Sequence, residues 1–443
     1  MTAVHTATAA RLLREAAVVQ RDTRQPSLVA GVLREGELVW SAVIAAVTGR
    51  TPVPARQGAG QDRQYRIGSI TKTMTALAVL QCRDERLLDL EDRIGDHLGD
   101  VPFARASVRR LLSHSAGLPA EPLGDWWERH DGGDFADLTS RVATQGPASA
   151  AGLRHHYSNL GYGLLGELVG RLRGRPWIDA VTASVLEPLG MRRTTYTPVA
   201  PHAWGWSVHP YSGRLSAEPH TDTGAMAAAG QLWSTLADLA RYAAFWLDPD
   251  PAVLAPATVV EMRTPQAGEP DDGLSGAYGL GLRLDGRGDR TLFGHSGSMP
   301  GFLAGFAVDP KERTAAITLS NGTTGGTGAL AYTLLDRLAE LEPAVPAEWV
   351  PEPLVEGADE LLGEWYWGSA AFTAVVRDGV LRLEHANPGR SSRFVRVTVD
   401  HWRGLDSYFA GEPLLVQRDG VGAVTGLDLA TYALTRTPQP ADP

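Results

Sequence analysis

The sequence predicts a mixed α/β (α+β) chain: an antiparallel sheet flanked by helices, a helical subdomain inserted into it, and a small C-terminal β-barrel. Two patterns carry this prediction. Strand-like runs lie on either side of a helix-rich middle, and a proline-rich stretch late in the chain is followed only by short alternating β-runs. At 443 residues the chain also exceeds what one hydrophobic core usually supports, so a large domain and a smaller one are expected.

Residues from about Thr8 to Val19 carry helical spacing, and the β-rich runs Leu28–Leu33 and Glu37–Ala46 follow, joined through Glu35-Gly36 as a hairpin. From Ser69 to about Arg86, Met74, Leu77, Ala78 and Val79 recur at helical intervals, which predicts a mostly buried helix with Ser69 at its start. Between about 90 and 200, the segments Val108–Leu112, Gly161–Leu172 and Trp177–Leu189 read as a helical subdomain. Phe302–Val308 and Arg313–Ser320 read as strands turned by Asp309-Pro310-Lys311-Glu312, and Ala329–Leu341 as a closing helix. Strands from both ends of residues 1–341 are thus expected in one antiparallel sheet. Pro343, Pro346, Pro351 and Pro353 make 342–356 a linker. In 357–443, turn signals at Asp378-Gly379 and Asp419-Gly420 separate short runs. Trp365, Tyr366, Trp367, Phe372 and Phe394 supply the core of an up-and-down barrel.

Composition excludes several classes of function. Hydrophobic residues at 43% and charged residues at 21% are those of a folded globular chain, not a disordered or fibrous one. The net charge of −10 comes without a basic stripe, so no nucleic-acid partner is expected. One cysteine, Cys82, lies in an apolar helical pattern and excludes an internal disulfide and a cysteine-based zinc site. The histidines do not cluster at ligand spacing, and no phosphate-cradling or dinucleotide-binding glycine fingerprint sits in strand-to-helix context, so neither metal nor cofactor is expected. No signal-peptide pattern and no run of about 18 apolar residues occurs, and the expectation is a cytoplasmic protein without a membrane partner.

Three short segments can carry chemistry. In Ser69-Ile70-Thr71-Lys72, serine and lysine stand one helical turn apart on one face, so the amine can reach the hydroxyl. A serine hydroxyl needs a neighbouring base, and a lysine serves only if burial or nearby cations lower its pKa. The chain has only two lysines, Lys72 and Lys311, among 41 basic residues, which makes a lysine in an apolar helix a specific choice. In Tyr157-Ser158-Asn159, a phenol can pass protons and an amide can orient a substrate carbonyl or the lysine, although such a tripeptide is also an ordinary helix cap. In His295-Ser296-Gly297-Ser298, placed at the end of a β-run Arg290–Gly294, Gly297 permits close approach of substrate and the Ser298 amide can face an oxyanion.

Taken in order and spacing, the three segments resemble the serine β-lactamase-related superfamily, which includes class C β-lactamases, esterases, D-aminopeptidases and penicillin-binding-protein-type thioesterases. The resemblance runs from Leu28 to Leu341 and includes Leu111–Pro119, Pro188-Leu189-Gly190-Met191 and Ala229-Gly230-Gln231-Leu232. It implies Ser69 as nucleophile, Lys72 and Tyr157 as a proton-transfer pair, and Asn159 as an orienting amide. It further implies an oxyanion hole of the Ser69 and Ser298 amides, and a substrate-binding wall including Gly297 and Gly230. His295 stands where β-lactamases carry a lysine, so a permanent positive charge is missing and antibiotic hydrolysis is disfavoured. His114 reads as a packing residue. The C-terminal domain resembles the lipocalin-like barrel of some of these proteins, and Arg436 there is a candidate ligand for a substrate carboxylate.

The expected function is that of a serine hydrolase or acyltransferase acting through an acyl-enzyme on esters, thioesters or peptides containing D-residues. The expected partner is a small-molecule or peptide substrate, presented on a carrier protein in one variant of the reading. That variant is a penicillin-binding-protein-type thioesterase that cyclises and releases a nonribosomal peptide. A β-lactamase, a D,D-carboxypeptidase and an inert binding protein of the same fold stand behind these two.

Overall fold

Residues Leu28 to Leu33 alternate between two apolar environments, which a strand achieves only when both faces of its sheet are covered. The computed structural model, which describes residues 3–45, 62–152, 154–268, 276–345 and 348–438, shows this directly. Strands β1 (Ser27–Arg34) and β2 (Glu37–Ala45) form the predicted hairpin. They join β3 (Ala267–Gly268), β4 (Gly276–Tyr278), β5 (Arg283–Arg287), β6 (Arg290–Met299), β7 (Phe302–Asp309) and β8 (Thr314–Ser320). The order is β2-β1-β8-β7-β6-β5-β4-β3, antiparallel throughout, so strands from both ends of the first domain do share one sheet. Ala46 and Pro346 lie outside the described residues.

Helices α1 (Thr6–Asp22) and α5 (Thr327–Leu341) cover one face of the sheet, packing Leu12, Ala16, Leu330 and Leu334 against Leu28, Ala30 and Val32. The other face meets a larger core built from α2 (Thr71–Asp84), α3 (Asn159–Arg173) and α4 (Leu236–Leu247). Twelve residues of α2, from Thr71 through Cys82, are buried, and it is therefore helical through its surroundings rather than through an amphipathic stripe. The middle of the chain is helical as expected: Val108–Leu112 is a helix, and α3 extends the expected Gly161–Leu172 at both ends. Trp177–Leu189 is a short helix, Trp177–Val181, running on into a wider turn at Thr182–Leu186.

One boundary differs from the sequence reading in a way that matters. The β-run expected to stop at Gly294 continues to Met299, pairing His295 with Phe306, Gly297 with Ala304 and Ser298 with Leu303. Histidine, serine and glycine in a row read as a turn, but the ladder to β7 supplies the hydrogen bonds that hold them extended.

The chain divides into two compact units, Met1–Ala344 and Val345–Pro443. The second is an eight-stranded antiparallel meander in sequential order from Gly363–Trp367 to Tyr432–Leu434. Its ends meet through backbone hydrogen bonds between Tyr366 and Thr435, which nearly closes it into a barrel. Trp365, Phe372, Phe394 and Trp402 fill the interior. No helix among the described residues is long and apolar enough to cross a membrane.

Because α2 takes its stability from close packing, truncating Leu77, which is fully buried, should cost about 2–5 kcal/mol. The measurement is urea unfolding of Leu77→Ala beside the parent protein; a loss under about 1 kcal/mol would mean the α2 core repacks freely.

Candidate active site

The turn that carries Ser69 is set by two glycines. A short strand, Tyr65–Arg66, pairs with Trp233–Ser234, and the chain then turns through Gly68–Ile70 into α2. Gly68 has φ +52, and a Cβ there would lie 2.5 Å from the backbone nitrogen of Ser298. Reciprocally, a Cβ on Gly297 would lie 1.9 Å from the carbonyl oxygen of Ile67. Side chains at either position would push the turn off β6, so the glycines keep the backbones of Ser69 and Ser298 side by side. Ser69, Ser298, Tyr157, His295 and Tyr278 line one cavity of about 370 Å³.

Lys72 is fully buried, and its Nζ has three oxygen partners: Asn159 Oδ1 at 2.6 Å, the Ala229 carbonyl at 2.7 Å and Ser69 Oγ at 3.0 Å. Burial drives its pKa down to about 7, against the pull of Glu121 and Glu128, which favour the charged form. An ammonium donates to all three oxygens. A neutral amine has two N–H bonds and one lone pair; two partners, an amide oxygen and a backbone carbonyl, can only accept. The lone pair is thereby left to Ser69, the one partner able to donate. That is the arrangement a general base needs.

Tyr157, Ser158 and Asn159 combine a cap with a site. Ser158 caps α3 by accepting from the Gly161 amide at 3.1 Å, and its hydroxyl donates to the Pro119 carbonyl at 2.6 Å. The cap throws its two neighbours toward Lys72: Asn159 by the direct bond, and Tyr157 with its ring centre 4.9 Å from Nζ. The phenol hydrogen-bonds Ser69, while burial holds its pKa well above the ordinary tyrosine value. It stays protonated at neutral pH, so of the two groups beside Ser69 only Lys72 can offer a basic lone pair there.

The sequence reading placed His295 among the catalytic groups, and the structure shows how its ring is held. His295 reaches the cavity, but both ring nitrogens are engaged: Nδ1 with the Ser296 carbonyl at 2.5 Å and Nε2 with the Tyr278 hydroxyl at 2.9 Å. The carbonyl can only accept, so Nδ1 carries the proton and Nε2 accepts from the tyrosine. Burial, with Lys72 nearby, lowers the pKa to about 3 and keeps the ring neutral. It lines the cavity wall and holds the Tyr278 hydroxyl. Gly230 ends a short helix, Ala227–Gly230, beside Met299 and Trp127. Arg436, read as a carboxylate ligand, is committed inside its own unit. Its guanidinium stacks 3.8 Å from the Trp365 ring centre and donates to the carbonyls of Leu362, Glu364 and Glu360.

Four residues at the site had no assigned function in the sequence. Gly68 shapes the turn, and Tyr278 holds His295. His114, buried behind the site, accepts from the Ser158 amide at 3.1 Å and packs its ring 4.2 Å from that of Tyr157. Glu121 accepts from Asn159 Nδ2 at 2.6 Å and from the Trp127 indole at 2.7 Å. The only signal for Glu121 is its place just past the Leu111–Pro119 stretch.

Comparison with known proteins gives matches to both units. The family model described as Beta-lactamase matches residues 13–340, and a domain of unknown function, DUF7586, matches 355–436. The chain is 28% identical over 261 residues to Beta-lactamase-like protein 2 of Dictyostelium discoideum, covering 55% of this chain and 46% of that protein. It is 30% identical over 207 residues to Esterase EstB of Burkholderia gladioli, covering 43% and 52%. The match thus spans about half the length of these relatives. A solved structure of SurE with D-Leu is similar with a TM-score of 0.56 and 25% identity, over 98% of this chain and 100% of that one.

The lowered pKa of Lys72 makes two pH predictions. If neutral Lys72 is the base, kcat/KM on an activated ester should fall about tenfold per pH unit on the acid side of about pH 7. Lys72→Arg, which cannot lose its proton, should lose activity at least about 10³-fold at every pH. An acid limb near pH 10, or an active arginine variant, would rule out the assignment. Between pH 7 and the ordinary lysine value of 10.5 the unfolded chain holds a proton that the folded chain has released. This group therefore makes stability rise with pH across that window, checkable by urea unfolding of the parent and Lys72→Met.

Proposed function

The chain belongs to the Beta-lactamase family, and from that membership we propose that it is a serine hydrolase or acyltransferase working through an acyl-enzyme on Ser69. The observation that carries the reading is Lys72: a buried amine with a pKa near 7 whose lone pair is left to the serine hydroxyl. In the proposed reaction neutral Lys72 takes the Ser69 proton as Oγ attacks an acyl carbonyl and the C–O bond forms. The backbone amides of Ser69 and Ser298 stabilise the oxyanion. As the tetrahedral species collapses, the proton passes from Lys72 through Tyr157 to the leaving group. Water or an amine then attacks the ester, returning the proton along the same path.

The substrate class we propose is neutral esters, thioesters or amides of modest size. The third segment supports this, contributing a neutral His295 rather than a fixed cation, while the Arg283 guanidinium that also lines the cavity is exposed and already paired with Asp285. Likeness to Esterase EstB supports the ester reading, and likeness to SurE with D-Leu supports a substrate carrying a D-residue. Release of a carrier-bound peptidyl thioester by its own amine, giving a cyclic peptide, is the transferase form of the reading, in which an amine takes the place of water as acceptor.

Incubation with an activated ester and with a peptidyl thioester ending in a D-residue, followed by intact-mass spectrometry, tests the reading. One acyl group should appear on Ser69, and Ser69→Ala should lower kcat/KM at least about 10³-fold. Turnover that survives this substitution would overturn the proposal. Cyclic product from the thioester would select transfer over hydrolysis.

A further inference from the structure

Resting on the acyl-enzyme reading, we propose that Glu121 is a positioning residue for Lys72: its carboxylate sets which way round the Asn159 amide lies, and thereby where the lysine lone pair points.

The argument is one of donors and acceptors. The Asn159 amide lies between Lys72 Nζ, 2.6 Å from Oδ1, and Glu121 Oε1, 2.6 Å from Nδ2. One side is a donor when charged, the other accepts only, so a single orientation satisfies both. Turned over, the amide would place Oδ1 against a carboxylate oxygen and Nδ2 against the lysine. Neutral Lys72 would then direct its lone pair at Nδ2 and away from Ser69, leaving the serine without a base.

A carboxylate is required because two donors arrive. Oε1 accepts from Asn159 and Oε2 accepts from the Trp127 indole at 2.7 Å. A glutamine offers one oxygen and one NH₂ in their place. Either the indole faces an NH₂, or Asn159 faces one and turns over. The backbone leaves little freedom for another solution. The Pro119–Glu121 segment is tied to its surroundings by Ser158 Oγ to the Pro119 carbonyl at 2.6 Å, Asn159 N to the Ala120 carbonyl at 2.8 Å and Gln145 Nε2 to the Glu121 carbonyl at 2.9 Å.

Charge and positioning act in opposite directions. The Glu121 charge favours protonated Lys72, so removing the charge alone would release the base at lower pH and leave the alkaline plateau intact. Positioning predicts a loss on the plateau itself.

The test compares Glu121→Gln with the double variant Glu121→Gln/Trp127→Phe, in which no indole donor competes and the glutamine oxygen can return to Asn159. On an activated ester, Glu121→Gln should lower plateau kcat by roughly 30-fold or more, and the added Trp127→Phe should recover about tenfold. An independent reading uses the two lysines of the chain: selective ¹⁵N-lysine labelling gives one Nζ titration for Lys72 and one for Lys311. The Lys72 titration should fall by about one pH unit or more in Glu121→Gln and move back up in the double variant. Equal titrations in the two variants, or a plateau kcat unaffected by Glu121→Gln, would overturn the proposal. A parent protein that is never acylated on Ser69 would instead defeat the reaction reading, while the lysine titrations would still decide the amide orientation.

Discussion

A lysine taken wholly out of water is the constraint that the rest of this site answers to. An ammonium without solvent is costly, so the group gives up its proton near neutrality or is surrounded by oxygens; here both happen. The three oxygens come from three separate elements: the turn before α2, the first residue of α3 and the short helix Ala227–Gly230. Convergence of those elements is therefore a condition of burying Lys72 at all. The same convergence orders the site, since one of the oxygens is the Ser69 hydroxyl.

Around this amine the protein places polar groups that carry no charge. Tyr157 remains a phenol, and His295 and His114 remain neutral, in each case chiefly because burial penalises the charged form. Their hydrogen bonds run to Ser69, to the Tyr278 hydroxyl, to the Ser296 carbonyl and to the Ser158 amide. The result is a cavity wall whose buried part is neutral, with the exposed Arg283 guanidinium, paired with Asp285, as a charged group on the same lining. The carboxylate of Glu121 lies one amide farther out, close enough to orient Asn159 but not in direct contact with Lys72.

How much of this was legible depends on how far apart in sequence the partners lie. Ser69 and Lys72 are one helical turn apart, so their contact follows from helix geometry, sharpened by the scarcity of lysine. Tyr157 and Asn159 flank a serine cap, again a local pattern. The end of β6 was misjudged because its polar and glycine residues resemble a turn until the ladder from β7 is known. Arg436 was aimed at a substrate because a guanidinium near a chain end has no local clue to its partners; those partners are carbonyls about 70 residues earlier. Glu121 and Tyr278 were passed over for the same reason: their meaning lies in bonds to Asn159, Trp127 and His295, most of them distant in the chain.

The sequence by itself therefore determined the chemistry on offer and its local placement: a serine with a lysine one turn away, a tyrosine and an asparagine around a cap, and a sheet closed by strands from both ends of the first domain. Those features rest on periods of two and of 3.6 residues, which are visible in a single chain. Only the tertiary structure decided the protonation states, the direction of the lysine lone pair and the neutral, doubly hydrogen-bonded state of His295. Each of these depends on burial and on which acceptor meets which donor across long stretches of sequence, and neither quantity exists until the elements have packed.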